Sequence, residues 1–409
     1  MSNQNNSEPN NDAAGLERLL LELTAIPTAA GREDRVVAFI QNWAAEREDV
    51  ARTTDAAGNL TLSLTGAHQG PPIYLTAHLD HPAFVVERIV GPGTLELAFR
   101  GGVMDDYFNN ARIEVITEDD RRIAGTLAGR VEGASSIATD KHFLCEIDGD
   151  DHADDIRIGD IARWALEEPA IDEGILRTHA CDDLAAAACA LAAFDRLRAR
   201  RAAGETNADG RLLFTLAEEV GFIGAIAATR LDTIPRDAKV IALENSRAFA
   251  EAPIGGGPIV RVGDRLTVFS PRLTDDVARI AEAIAGGPAT PNAQQKASDL
   301  PAWKWQRKLM AGGACEATVF CHAGLDATCV CLPLGNYHNM ADLDAVQART
   351  NTTPPRVGPE SIAIADAAGM TELLAACFEQ LAEPPKSKTA ERIESLWRDR
   401  HAILGMDER

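Results

Sequence analysis

Residues 211–225, RLLFTLAEEVGFIGA, decide how this chain is read. Leu212, Leu213, Phe214, Thr215 and Leu216 form a short apolar, β-compatible run, the pattern of a parallel strand buried on both faces. Glu218 and Glu219 follow, and Gly221 and Gly224 then lead into an alanine-rich helix. In an open α/β sheet, ligands bind outside the carboxyl ends of the strands. An acid pair there can do chemistry, or it can simply open a helix and favour its dipole. The segment alone leaves both readings open.

The same arrangement recurs on either side of it. Residues 73–77 read as a strand that delivers His78, Leu79, Asp80 and His81. A His followed two residues later by Asp suits a metal ligand and its orienting acid. ACDD (180–183) sets Asp182 and Asp183 before a helix rich in Ala and Leu, as an N-cap or as a carboxylate shared by two cations. His179 beside them reads as a local hydrogen-bonding residue. The run AKVIALENS (238–246) ends in an acid, Glu244, and ATCVCLPLG (327–335) presents Tyr337, His338 and Asn339. The glycine-containing turn GGACEA (312–317) carries Glu316 into a helix.

From about residue 90 to 172 the texture changes to short alternating strands separated by Gly and Asp turns, an inserted β domain. The expected fold is therefore α/β: a mostly parallel central sheet flanked by helices, interrupted by a small β-barrel or sandwich. Residues 13–89 and 173–385 make the two parts of the main domain. Residues 1–12 are a polar leader expected to be disordered, and EPPKS (383–387) precedes a charged tail helix over 386–409.

Composition narrows the function classes. A chain of 409 residues that is 45% hydrophobic can bury a large core in two or three domains. Its formal charge of −22 argues against nucleic acid or an anionic membrane as partner, since both need clustered Lys and Arg. The eight cysteines contain no CxxC pair and read as reduced, buried thiols, which points to the cytoplasm. No run approaches the ~20 apolar residues of a membrane span.

Together, His78, Asp182, Glu219, Glu244 and His338 fall at predicted strand ends or in the turns beyond. Imidazole and carboxylate suit borderline metals such as zinc. Two ions ~3.5–4 Å apart need one shared carboxylate and about two terminal ligands each. Asp182 as the bridge and the other four as two pairs meet that count. Glu218 is then left over as general base toward a bridging water.

At this point the chain resembles the dinuclear zinc peptidases of the glutamyl aminopeptidase and tetrahedral aminopeptidase family. The resemblance rests on IPTAAGRED (26–34), DAAGNL (55–60), AHLDHPAF (77–84), RIGD (157–160), ACDD (180–183) and LAEEVGFIGA (216–225). It implies an aminopeptidase acting on peptides, with two divalent ions (zinc, or cobalt or manganese) and Asp80 as a catalytic partner of His78. It also implies a strained peptide bond between Asp182 and Asp183, and a homo-oligomer built through the inserted domain. Four positions depart from the family pattern. Leu184 replaces an Arg, Glu244 an Asp, GGACEA a GGTDA, and the adjacent Tyr337–His338 pair is similar to the YHT motif of related aminopeptidases. Glu316 and Tyr337 are thus expected on the substrate side. Two alternatives remain: a carboxypeptidase or small-amide deacylase with the same site, and a catalytically silent metal-bound scaffold.

Overall fold

The computed structural model describes residues 8–131, 141–149, 155–290 and 302–405. Three strands come first, β1 (Val50–Thr54), β2 (Leu60–Leu64) and β3 (Gln69–His78). Six more follow: β4 (Ala83–Gly91), β5 (Thr94–Arg100), β6 (Arg112–Ile116), β7 (Arg122–Val131), β8 (Lys141–Ile147) and β9 (Ile161–Trp164). These six close into an antiparallel barrel in the order β4-β5-β8-β7-β6-β9, with β9 returning to β4. Phe84, Phe99, Phe108, Phe143 and Trp164 fill its interior, with Phe84 and Trp164 meeting edge to face at 5.0 Å. Closure leaves the insert no free sheet edge, which settles barrel over sandwich.

The chain then makes β10 (Ala170–Asp172) and β11 (Ile175–Thr178), and after them β12 (Ala208–Thr215), β13 (Lys239–Arg247), β14 (Ile259–Gly263), β15 (Gln306–Leu309), β16 (Asp326–Leu334) and β17 (Glu360–Ala363). Strands β10, β11 and β17 form a small antiparallel sheet. The others join the first three in an eight-stranded sheet of order β1-β2-β12-β3-β13-β16-β14-β15. Its centre, β12-β3-β13-β16, is parallel.

Helices cover both faces of this sheet. The helices are α1 (Glu8–Thr24), α2 (Asp34–Ala45), α3 (Leu184–Ala202), α4 (Ile223–Arg230), α5 (Pro271–Ala285), α6 (Glu316–His322), α7 (Leu343–Ala348), α8 (Ile364–Gln380) and α9 (Lys388–Arg400). Leu212 and Phe214 of β12 belong to the core that α1, α2, α3, α5 and α8 share on one face, while Leu213 between them belongs to the core shared by α4 and α6 on the opposite face. The period-two alternation of a strand thus explains the unbroken apolar run. Gly224 lets α4 return tightly over the end of β12, since a Cβ there would lie 2.5 Å from the backbone of Leu216.

Three boundaries differ from the sequence reading. The barrel spans strands from Ala83 to Trp164, not 90–172, because the apolar Phe84–Val86 run follows His81 with only Pro82 and Ala83 between them and looks like a continuation of β3. Residues Ala170–Asp172 belong to the small sheet beside β17. Helix α1 already begins at Glu8, within the leader assigned to disorder; residues 1–7 lie outside those described. Among the described residues, no helix is long and apolar enough to cross a membrane.

Candidate functional site

The six side chains singled out at strand ends converge. His78 is the last residue of β3, Glu218 and Glu219 lie just past β12, and Asp182 lies in the loop between β11 and α3. His338 follows β16 in a short 3-10 turn. Glu244 is not at a strand end: β13 runs on to Arg247 because it stays paired with β16 as far as Leu334. His78 Nε2 lies 3.3 Å from Asp182 Oδ1, and His338 Nε2 lies 3.5 Å from Asp182 Oδ2. His338 Nε2 is also 3.2 Å from Glu219 Oε1, and Glu218 Oε2 is 4.0 Å from His78 Nε2. Two groups result, His78–Glu218–Glu244 and Asp182–Glu219–His338, each with its ligand atoms within 4.8 Å of one another.

Several residues hold this arrangement through backbone groups. Asp80 accepts the N–H of Glu218 at Oδ1 (2.9 Å) and that of Glu219 at Oδ2 (3.0 Å). The turn before them needs Ala217 at φ +53°, and the buried Glu33 accepts its N–H (2.9 Å) together with that of Gly31. Glu360, fully buried in β17, accepts from Cys181 and Asp182 at Oε2 (2.7 and 3.0 Å) and from His338 at Oε1 (2.8 Å). His81 meets the Asp182 carbonyl (2.6 Å) and Asn339 Oδ1 (3.0 Å). The Asp182–Asp183 peptide is cis. Glu33, His81, Asn339 and Glu360 have no role in the sequence reading. The one available signal was His81, inside the His-x-Asp-His run.

The tautomers follow from these contacts. His338 Nδ1 lies 2.6 Å from the Gly102 carbonyl, and His78 Nδ1 lies 3.1 Å from the Asp80 carbonyl. A carbonyl only accepts, so Nδ1 carries the proton in both rings and a neutral ring turns its Nε2 lone pair toward the carboxylates. The acceptors Asp182 Oδ1 and Glu219 Oε1 are buried and have no hydrogen-bond donor. Lone pairs facing lone pairs in a buried site is a donor set that fits cations.

The electrostatics agree. Burial raises the Glu218 carboxyl well above its ordinary value; Glu219, Asp80 and Glu316 add to this, and His78 opposes it. Glu244 is raised well above normal by burial, then by Asp182 and Glu218. Burial works against a charged ring at His78 and His338, yet the facing carboxylates, Glu218 at the first and Glu219 at the second, raise both. Burial likewise opposes charge on Asp182, but His338 and His78 hold it below the usual carboxylate range. Positive charge at the centre would favour the ionised forms of Glu218 and Glu244 and take the place of the ring protons on His78 and His338.

Glu316 and Tyr337 border the cluster. Glu316 is pushed to about 7 by burial, with His78 opposing, and its Oε1 has no partner. The Tyr337 ring stacks on His338 at 3.7 Å between centroids. His179 differs from expectation: both its ring nitrogens are buried and lack a hydrogen-bond partner. It lies against Arg163 and Trp164 at the junction of barrel and sheet.

Comparisons accord with this geometry. A model of the M42 glutamyl aminopeptidase family matches residues 58–285. The fold is similar to that of aminopeptidase APDkam598 from the archaeon Desulfurococcus kamchatkensis, with TM-score 0.68 and 20% identity over 90% of this chain and 95% of that one. It is also similar to the Pyrococcus horikoshii TET1 peptidase, described as assembling into a tetrahedron or a large octahedral shell, with TM-score 0.66 and 19% identity over 89% and 99% of the two chains. No curated protein sequence matches the chain. The family match covers more than half of the residues and contains His78, Asp182, Glu218, Glu219 and Glu244. The chain belongs to the M42 glutamyl aminopeptidase family and is a metal-dependent aminopeptidase.

Proposed function

We propose that His78 and Glu244 hold one divalent ion, His338 and Glu219 a second, and Asp182 both. The observation that carries this reading is Asp182 turning one oxygen to each imidazole. Zinc is the ion we propose, on the mix of imidazole and carboxylate donors. Bound there, the pair of ions would acidify a water and polarise the scissile carbonyl. Glu218 stands in the His78 group but is the carboxylate this assignment leaves over. It takes the proton of the attacking water and returns it to the leaving amine. Asp80 acts through the Glu218 and Glu219 amides, keeping the base and its neighbouring ligand in register.

The unpartnered Glu316 Oε1 supports a role in receiving the positively charged amino terminus of a peptide. Tyr337 supports the wall of the same pocket. We further propose that the chain forms a homo-oligomer through the barrel and works in the cytoplasm, the latter supported by eight free cysteines, seven of them buried.

Glu218→Gln keeps shape and size while removing the base. The variant should fold, retain its metal content, and lose about 10²–10⁴ in turnover on amino-acid anilides. Near-normal turnover with full metal content would sink the assignment.

A further inference from the structure

A small cavity of about 20 Å³ lies where the barrel meets the sheet, with Thr28, His81, Arg163, Trp164, His179 and Asn339 in its wall. That volume suits one occupant the size of a water molecule. Three of these side chains carry unused nitrogens. Arg163 of β9 gives its Nε to Glu114 (2.7 Å) and its Nη1 to the Ala25 carbonyl (2.8 Å), while its Nη2 has no partner among the described residues. Trp164 Nε1 and both ring nitrogens of His179 are likewise unpartnered. The three residues are only 6%, 2% and 4% exposed, so bulk water does not satisfy them.

We propose that this cavity binds a single halide ion, chloride under ordinary conditions. The donor count points there. Arg163 Nη2, Trp164 Nε1 and one nitrogen of a neutral His179 ring are all N–H donors. A water accepts two hydrogen bonds and would leave one of the three buried and unpaired; a monatomic anion accepts from all three. Sulfate and other polyatomic anions exceed the volume. The surrounding charge agrees. Arg163 of β9, Arg122 of β7 and His81 all act on His179 as positive charges. Among the described residues, the one carboxylate within ion-pair distance of that ring is Glu114 of β6, 3.9 Å away, and its Oε1 already accepts from Arg163. Burial works against the charge of Arg163 and Glu114 offsets only part of that, which favours a second anion beside the guanidinium. The halide ties β9 of the barrel to His179, whose carbonyl holds Asn339 (2.9 Å) next to His338. It clamps barrel to sheet close to the site without entering it. This inference is independent of how the metal site is read.

The test uses the full-length, metal-loaded chain and reads the ion directly. Crystals soaked in sodium bromide should show an anomalous peak bounded by Arg163, Trp164 and His179. In solution at about pH 7.5, where His179 is neutral, sodium chloride replaces sodium methanesulfonate at constant ionic strength. The unfolding temperature should rise by roughly 1–2 °C for each tenfold increase in chloride beyond saturation. Trp164→Phe removes one donor and His179→Leu another; each should weaken chloride binding at least tenfold and shrink the shift, with peptidase activity in methanesulfonate as the control for folding. A water in the cavity of bromide-soaked crystals, with no anomalous peak there, would overturn the proposal. So would equal chloride shifts in wild type and both variants, which is a general salt effect. A peak without any shift in solution marks an adventitious ion only, and overturns it as well.

Discussion

His78 and His338 hold the two ends of the site, and they are fixed in opposite ways. His78 closes β3, and its Nδ1 meets Asp80 only two residues further on. His338 sits at φ +53° in a turn, and three other parts of the chain hold it. Gly102 from the barrel takes its ring proton, Glu360 of β17 takes its amide, and Tyr337 stacks on its face. One half of the site is made by a strand end; the other is assembled by packing the barrel against the sheet. The inserted domain therefore bears directly on the chemistry, because its backbone sets the tautomer of an imidazole in the cluster.

That contrast can be broken by experiment. On the proposed assignment each half holds a cation, so exhaustive chelation should abolish peptidase activity and zinc should restore it; full activity in metal-free protein would end the comparison at once. Asp80→Asn strikes the local half. Its amide group would face an N–H of Glu218 or Glu219 that now has an acceptor. Turnover should fall by about 10²-fold, the scale of a small misplacement of a catalytic group. Glu360→Gln strikes the assembled half by the same logic, leaving an N–H of His338, Cys181 or Asp182 facing a donor. One ion should bind about 10–100-fold more weakly while the other keeps most of its affinity. A cobalt titration followed by absorption reads this as two separated steps. Two equally weakened steps would show that Glu360 supports the whole cluster rather than one end.

The ligands of both halves were legible in the sequence; the supports of the assembled half were not. A strand ending in His-x-Asp, another ending in Glu-Glu and an acid pair before a helix are patterns a reader can see, because each spans a few residues. The fold followed from the same runs, and the alternating texture of the insert announced an all-β unit. What stayed hidden acts through the backbone across long separations. Glu33 holds Ala217 from 184 residues away, and Gly102 holds His338 from 236. Glu360 sits in a four-residue strand, ESIA, whose composition says nothing about the three amides it gathers. The start of the barrel was obscured for a related reason: β4 inherits the apolar character of the segment before it.

The smallest expected effect concerns His179, which lies where the two halves meet. Its carbonyl accepts from Asn339, the neighbour of His338, so it belongs to the assembled half. Burial, then Arg163, Arg122 and His81, push its ring down to about 3. In the unfolded chain the same ring takes a proton near pH 6.5. A folded-state value below the unfolded one means that acid favours unfolding: stability is intact above about pH 6.5 and falls as the pH drops from there toward 3. Between pH 7 and 5 this one group should cost about 2 kcal/mol. His179→Leu removes the group, so its urea-unfolding free energy should lose about that much less over the same interval. Hydrogen exchange should place the acid-loosened amides of the wild type around residues 337–341 and 179–183, with the end of β3 protected. Parallel pH profiles for the two proteins, or loosening that begins at His78, would show that the assembled half is no more fragile than the local one.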